Sequence, residues 1–341
     1  MTEANFNPND PGAADSNLFG LPYAVKQAEL VVLPVTWEAT VSYGAGTANG
    51  PEAILEASKQ IDLYHPLIKE VWKRKMAMED LEPELKKKSK QMRKLAEEII
   101  DCWTNGETPS AKKLNKVNAA CEEMVEYVRK KSEALLKQGK IVATLGGDHS
   151  TPLGLMKALA AKHKFGILQI DAHADLRKAY EGFIYSHASV MYNAMQEKNI
   201  VSLTQVGIRD YCEEEVQLIS KSKGRIKTWY DRDIQYAKIK GTTWAAQVTS
   251  IIKALPDNVF ISFDIDGLTP DHCPNTGTPV PGGLSFAEVS YLIEQVALSK
   301  KKIIGFDLNE VSPGKDDWDA NVGARVLFAL CCAVFINRER K

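Results

Sequence analysis

The chain has 341 residues, of which 44% are hydrophobic and 26% are charged. This is the composition of a folded globular protein with one large domain or two ordinary ones, and it excludes disorder along the whole chain. The 43 basic residues are balanced by 44 acidic ones, so no overall field attracts nucleic acid or an anionic membrane surface.

The stretch 1–20 is polar and lacks the basic and apolar segments of a secretion signal. No run of 18 consecutive apolar residues is present that would span a bilayer. The six cysteines do not have the even, close spacing of a disulfide framework. We therefore expect a cytoplasmic protein with neither a membrane nor a nucleic-acid partner.

The first predicted strand is the apolar run Ala28 to Val35, typical of a strand buried on both faces of a parallel sheet. A helix follows with Pro51 in its first turn. From Lys73 to Gly139 the chain is rich in charge, with apolar residues at helical intervals and a break at Asn105 and Gly106. This pattern predicts two amphipathic helices. We expect a solvated helical insertion at about 73–139, with an oligomer contact or a lid as the alternative.

After Gly139, strands alternate with helices, which predicts a parallel sheet with helices on both faces. The predicted strands are Lys140–Leu145, Phe165–Ile170, Val201–Val206, Val259–Phe263 and Lys302–Phe306. The predicted helices between them include Leu153–Lys162, Ala245–Leu255 and Phe286–Ser299.

Three of these strands are followed by groups that bind metals. The groups are His149 after the first strand, Asp171, His173 and Asp175 after the second, and Asp264 and Asp266 after the fourth. Sites in open parallel sheets form just beyond the carboxyl ends of the strands, and alternate residues of an extended chain point to one side. We therefore expect these side chains to converge.

Four carboxylates crowded at one sheet edge would repel one another and raise their pKa values, and two divalent cations would remove that repulsion. Carboxylate and imidazole ligands without cysteine suit Mn²⁺, with Ni²⁺, Co²⁺, Fe²⁺ or Zn²⁺ as alternatives. Two such ions about 3.5–4 Å apart would activate water and polarise an electrophile. A single Asp-x-Asp after a strand is more often a helix cap, but three clusters at strand ends together favour metal.

Three motifs resemble the signatures of the ureohydrolases, the arginase/agmatinase superfamily. They are GGDHS at Gly146–Ser150, DAHAD at Asp171–Asp175 and SFDIDGLTP at Ser262–Pro270. The resemblance runs from about Leu30 to the C-terminus, apart from the charged stretch. It implies a three-layer α/β/α fold with a parallel sheet of about eight strands. It also implies a homo-oligomer, trimeric or hexameric, and a site with two Mn²⁺ per chain that hydrolyses a guanidino carbon to release urea.

The same resemblance assigns the site residues. One ion would be bound by His149 and Asp175, the other by His173 and Asp266, and both by Asp171 and Asp264. Glu310 matches the carboxylate that binds the guanidinium, for which two parallel charge-assisted hydrogen bonds are suited. His187 matches a histidine that moves protons, and it or Asp266 would serve in protonating the leaving amine. Outside this pattern, Glu310 would be interpreted as a capping or solvated residue and His187 as a core or surface histidine.

The substrate depends on the loops. Residues 176–185 lack the Asn- and Thr-rich pattern with which arginases bind the amino acid, and Cys212 stands where an acidic, amine-binding residue is expected. Glu181 or Glu213 could favour a cationic chain, whereas Arg177 could bind a carboxylate or form a structural ion pair. We expect hydrolysis of agmatine to putrescine. The alternatives are arginine, guanidinobutyrate, guanidinopropionate, formiminoglutamate and guanidine, or a sensor of guanidino ligands without catalysis.

Ligands spread from His149 to Glu310 must converge on one sheet edge, and one continuous core is needed to hold them. The sequence therefore predicts a single domain over residues 1–341, with the charged stretch as an addition to it.

Overall fold

The computed structural model describes residues 6–10, 12–13 and 15–340. In these ranges, eight strands form one parallel sheet. The strands are β1 (Leu30–Val35), β2 (Met76–Met78), β3 (Ile141–Gly146), β4 (Phe165–Ile170), β5 (Ile200–Ile208), β6 (Ile226–Tyr230), β7 (Asn258–Asp264) and β8 (Lys302–Asn309). Their order across the sheet is β2-β1-β3-β8-β7-β4-β5-β6.

The helices of the described ranges lie between and after these strands. They are α1 (Gly50–Ser58), α2 (Pro83–Thr104), α3 (Ala111–Lys137), α4 (Leu153–Ala160), α5 (Val190–Ala194), α6 (Glu213–Lys221), α7 (Asp231–Ile239), α8 (Trp244–Ala254), α9 (Phe286–Leu298) and α10 (Trp318–Glu339).

Each face of the sheet has its own hydrophobic core. Along β1, Leu30 and Val32 belong to the core that includes residues of α1, α8, α9 and α10. Val31 and Leu33 belong to the other core, which includes residues of α2, α3, α4 and α5. This alternation follows from the twofold repeat of a strand, and a strand buried on both faces must be apolar throughout. The predicted three-layer α/β/α fold with about eight parallel strands is confirmed.

The charged stretch forms the two predicted helices, α2 and α3, but it also contributes to the sheet and to the core. Strand β2 pairs with β1 in parallel register, with Leu30 opposite Met76. On the helices, Met92, Val117 and Val128 are buried in the core of that face. The stretch is therefore only partly solvated. Strand β2 was not predicted, because three residues between charged segments are too few to show the alternation of apolar and polar residues that indicates a strand.

Helix α10 is long and apolar enough to cross a membrane by length and composition alone. Its most apolar window of 18 residues is 83% buried inside the fold, where it packs against α1, α9 and β8. A helix that is apolar on all sides is what a position in the centre of a large core requires, so we interpret α10 as a core helix.

Candidate metal centre

The sheet order brings the predicted ligands together. Strands β3, β8, β7 and β4 are consecutive neighbours in the middle of the sheet, and all run parallel. The segments after their carboxyl ends therefore meet at one edge. They carry His149 after β3, Glu310 after β8, the Asp264–Asp266 segment after β7 and the Asp171–Asp175 segment after β4.

The first group of ligand atoms surrounds His149, which is buried. Its Nδ1 atom lies 3.0 Å from Asp171 Oδ2, 3.0 Å from Asp175 Oδ2 and 3.3 Å from Asp264 Oδ2. Although three carboxylates approach it, this nitrogen has no hydrogen bond of acceptable geometry. A buried nitrogen in this position is normally satisfied, and a cation between the nitrogen and the three oxygens would satisfy all four atoms.

The second group lies beside it. His173 Nδ1 is 3.0 Å from Asp266 Oδ2 and 3.7 Å from Asp171 Oδ1. Asp171 thus turns one oxygen toward His149 and the other toward His173. Both His149 with Asp171 and Asp175, and Asp171 with His173 and Asp266, are groups that could hold a metal ion. The geometry agrees with the shared position predicted for Asp171, while Asp264 lies close to His149.

Burial and mutual repulsion perturb these carboxyls strongly. Burial, together with the charge of Asp171, raises the pKa of Asp175 to about 7. Burial, with Asp266 and Asp171 nearby, also raises the pKa of Asp264 well above its ordinary value. Burial disfavours the charged form of His149 too, but the surrounding carboxylates outweigh it and raise the pKa of this histidine. Such crowding of charge in a poorly solvated site fits a pair of divalent cations.

The backbone at the site is specialised. Gly147 approaches Trp37 so closely that a Cβ added at residue 147 would lie 2.0 Å from the Trp37 carbonyl oxygen. Asp175 and Glu310 have φ values of 54° and 64°, a left-handed conformation that non-glycine residues adopt rarely and mostly where the surroundings enforce it. The close contact with Trp37 gives Gly147, the second glycine of the GGDHS motif, a packing role.

A series of hydrogen-bonded, buried polar side chains holds His149 at its Nε2 atom. Its Nε2 lies 2.9 Å from Ser262 Oγ, which donates to Asp307 Oδ1 at 3.1 Å. Asn309 also donates to Asp307 and accepts from Thr151 Oγ1 at 2.8 Å. Such outer partners orient a ligating histidine.

A second such series supports Asp171. Gln169 donates to Asp171 Oδ2 at 2.8 Å, and Gln205 donates to Gln169 at 2.7 Å. No role was predicted for Gln169, Gln205, Asp307 or Asn309. Their signal is visible in retrospect, since polar side chains inside otherwise apolar buried strands need partners.

Glu310 is buried next to the first group. Its Oε1 accepts from the backbone N–H of His149 at 2.8 Å, and burial raises its pKa. Its Oε2 lies on the side of Gly277, where an added Cβ would come within 3.4 Å of it. The glycine therefore leaves space beside this oxygen.

A cavity of about 440 Å³ opens over the second group. His173 and Asp175 line its floor, and Arg177, Tyr180 and His187 line one wall. Burial, with the charges of His173 and His149, lowers the pKa of His187 to about 3, so the ring is neutral at neutral pH. The Gly277–Gly283 loop contributes Thr278, Pro279 and Val280 to the opposite wall.

The acidic residues of this cavity differ from those considered in the sequence. Neither Glu181 nor Glu213 lines it, whereas Asp210 and Glu215 do. Both oxygens of Glu215 accept backbone N–H groups, from Leu176 and Cys212 at 2.9 Å each. The Asp210 side chain is 67% exposed and lies 3.9 Å from His173 Nε2. Asp210 is thus the carboxylate available to a ligand, and only the fold could identify it.

Arg177 also faces the cavity. Its guanidinium stacks on the Tyr180 ring, with 4.8 Å between the guanidinium carbon and the ring centroid. The Tyr180 ring thus positions the cation, and no ion pair of Arg177 is found among the described residues.

Comparisons with known proteins agree with this description. Residues 28–333 match the arginase family. The N(1)-aminopropylagmatine ureohydrolase of Thermus thermophilus is 33% identical over 293 residues, covering 86% of this chain and 85% of that protein. An agmatinase of Bacillus anthracis is 29% identical over 297 residues, covering 86% and 87%.

Solved structures share the fold. The agmatine ureohydrolase of Thermoplasma volcanium superposes with a TM-score of 0.72 at 23% identity, over 99% of this chain and 98% of that one. The predicted superfamily and enzyme class are thereby confirmed: this chain belongs to the arginase family and is a ureohydrolase.

Proposed function

We propose that this ureohydrolase uses two Mn²⁺ ions to hydrolyse the guanidino C–N bond of agmatine, releasing urea and putrescine. The observation that carries the proposal is the pair of adjacent ligand groups that share Asp171. In the first group, the buried Nδ1 of His149 faces three carboxylates without a hydrogen bond of acceptable geometry. Carboxylate and imidazole donors without cysteine suit Mn²⁺, and Ni²⁺ or Co²⁺ are the alternatives.

The residues that would hold the ions are those predicted from the sequence. His149 and Asp175 would bind one and His173 and Asp266 the other, with Asp171 and Asp264 shared. When bound, such a pair supplies an activated water and an electrophilic guanidino carbon. The buried polar side chains that support His149 and Asp171 hold the ligands in position without further rearrangement.

Glu310 is proposed to bind the guanidinium. Its Oε1 is held by the His149 backbone, which orients the carboxylate, and Gly277 leaves room beside Oε2. A carboxylate forms charge-assisted hydrogen bonds with a planar guanidinium. The substrate's charge would also compensate the burial that raises the pKa of Glu310.

His187 is proposed to handle a proton at the departing nitrogen. Its ring lies in the cavity wall and meets the Tyr180 ring edge to face, with 6.2 Å between centroids. Because the ring is neutral at neutral pH, it would donate its one ring N–H to the departing nitrogen as a hydrogen bond and accept one at its other nitrogen. Asp266, 3.0 Å from His173 Nδ1, is the other candidate for protonating the leaving amine.

Asp210 supports a substrate with a cationic chain. Its exposed carboxylate stands beside His173 at the cavity, where it would attract the amine of agmatine and disfavour a carboxylate. A second candidate is N(1)-aminopropylagmatine, favoured by the relative from Thermus thermophilus. The homo-oligomer and the cytoplasmic location stay predictions.

A substrate panel tests the proposal. The purified chain is stripped of metal, reloaded with Mn²⁺ or Ni²⁺, and assayed for urea and ammonia with agmatine, N(1)-aminopropylagmatine, arginine, guanidinobutyrate and formiminoglutamate. We expect the highest kcat/KM with Mn²⁺ and agmatine, and no urea after chelation. Asp80→Asn, a change at an exposed residue, is the control for the inactive Asp171→Asn.

Two results would decide against parts of the proposal. A tenfold preference for N(1)-aminopropylagmatine would replace agmatine with that substrate, and a preference for guanidinobutyrate would remove the role of Asp210. Tight binding of guanidino compounds without product, by chain loaded with two ions, would favour the sensor instead.

A further inference from the structure

We propose that the charged helices α2 and α3 fasten two of the loops that line the substrate cavity, and that Asn118 is a positioning residue for the second of these loops. The first pocket loop is residues 38–48 and carries Ser42 and Tyr43; the second pocket loop is residues 177–188. The inference rests on the proposed function in that it takes this cavity as the place where the guanidino substrate binds.

The second pocket loop contains a tight turn that its own sequence does not favour. Tyr180 and Phe183 exchange two backbone hydrogen bonds, of 3.1 and 2.8 Å. The two residues between them, Glu181 and Gly182, have φ values of 53° and 86°. Two consecutive positive φ values are those of a type I′ turn, for which Asn-Gly is preferred. With glutamate in the first position, the turn needs support from outside.

That support comes from α2 and α3. Asn118 donates from Nδ2 to the Gly182 carbonyl at 3.1 Å and accepts the Ile184 N–H at 2.9 Å. Trp103 Nε1 donates to the Glu181 carbonyl at 3.0 Å. Leu114 packs so closely on Gly182 that an added Cβ there would lie 2.9 Å from a Leu114 methyl group. Three side chains of the helical pair thus contact Glu181, Gly182 and Ile184 of the turn.

This turn also positions residues of the cavity wall. Tyr180 begins it, stacks on the Arg177 guanidinium at 4.8 Å and meets the His187 ring edge to face. All three residues line the cavity. A shift of the turn would therefore move the aromatic surface against which Arg177 and His187 are held.

The first pocket loop is held by α2 alone of the two helices, in the hydrogen bonds of the described residues. The Glu38 N–H donates to Ser89 Oγ of α2 at 2.9 Å, and Arg93 of α2 donates to the Val41 carbonyl. The Glu38 carboxylate closes the loop by accepting the N–H groups of Gly46 and Ala48, at 2.6 and 3.2 Å. The stretch that the sequence suggested to be a solvated addition thus contacts both sides of the cavity.

The test compares Asn118→Ala with Asn115→Ala, an exposed asparagine one turn earlier on the same helix. We expect Asn118→Ala to raise KM for agmatine about tenfold and to change kcat less than about threefold, because two hydrogen bonds to the loop are lost. Amides of residues 180–184 should exchange about tenfold faster, while those of β3 and β4 keep their protection. Bound Mn²⁺ should stay at the wild-type level, since none of the six ligand candidates is hydrogen-bonded to α2 or α3 among the described residues.

A second variant keeps the test valid if Asn118→Ala folds poorly. Trp103→Phe retains the ring and removes only the Nε1 donor to Glu181, and we expect about a threefold change in the same exchange rates and in KM. If both variants have the amide exchange rates and the KM of Asn115→Ala, the proposal is overturned. So would faster exchange throughout the chain, because that is general destabilisation. If no substrate is turned over by the wild type, the proposed function fails, and the exchange data still decide whether the helices hold the loop.

Discussion

Replacing Gly147 with alanine tests whether the close contact between the segment after β3 and Trp37 sets the position of His149. An alanine Cβ would lie 2.0 Å from the Trp37 carbonyl oxygen and 2.9 Å from the carbonyl carbon, whereas ordinary contacts begin at 3.4 Å. The obstacle is backbone, which has no rotamer to move away. The two segments must therefore separate by roughly 1.4 Å to bring the 2.0 Å contact to 3.4 Å.

The separation weakens three backbone hydrogen bonds of 2.8 Å each: Gly147 N to Val35 O, Asp148 N to Trp37 O, and Glu310 N to Gly147 O. At roughly 0.5–1.5 kcal/mol for each bond, the free energy of unfolding falls by about 2–4 kcal/mol. A chain of this length has an unfolding entropy of roughly 0.7 kcal/mol per kelvin, so Tm falls by about 3–6 °C. Movement of His149 by about 1 Å should lower kcat/KM about 100-fold.

Calorimetry and the urea assay measure both effects. The control is Gly224→Ala, where an added Cβ meets nothing within 4 Å and φ, unlike that of Gly147, is positive, at 83°. This control should lose about 1 kcal/mol through backbone strain and retain its activity. If Gly147→Ala has the Tm and the kcat/KM of the control, the contact with Trp37 does not position the ligand and the reasoning is wrong.

Three further predictions concern charged groups. Asp171→Asn removes the carboxylate shared by both ligand groups, and we expect loss of at least one bound Mn²⁺ per chain in metal analysis and a fall in activity of at least about 100-fold. Asp210→Asn should raise KM for agmatine about five- to tenfold at low salt and less at high salt, and should leave KM for guanidinobutyrate unchanged or lower. The Glu288 carboxylate accepts the Ser285 N–H and forms an ion pair with Lys238 at 2.6 Å. Burial opposes the ionised form of Glu288, but these partners outweigh burial and lower its pKa. Glu288→Gln should therefore lower Tm at pH 7, and the difference should shrink as the pH falls below the ordinary pKa of glutamate and through the lowered pKa of Glu288.

Each of these has a result that contradicts it. Two tightly bound Mn²⁺ in Asp171→Asn would show that the groups do not share this residue. Equal effects of Asp210→Asn on agmatine and guanidinobutyrate would mean that the carboxylate acts on the loop and not on the amine. A Tm difference for Glu288→Gln that does not shrink as the pH falls through this range would indicate lost packing, because protonation of Glu288 breaks the ion pair.

The sequence determined the fold class and the chemistry of the site. Apolar runs such as that of β1 can be stable only in a sheet covered on both faces, and this requirement is local to each strand. The ligand types are equally local: His149, Asp171 and Asp264 each stand just after a strand, where ligands of parallel sheets lie. The same motifs were sufficient to identify the family.

Only the tertiary structure decided which groups meet. The placement of β8 between β3 and β7 brings Glu310 and Asp307 to His149, and strand order depends on packing between segments far apart in the chain. Tertiary packing also turned Asp210 toward the cavity in place of Glu181 and Glu213, and it set the apolar sides of α2 and α3 into the core. The spacing of apolar residues in a charged sequence indicates a helix. The surface against which each side of that helix packs depends on contacts between distant residues, and no local pattern encodes those contacts.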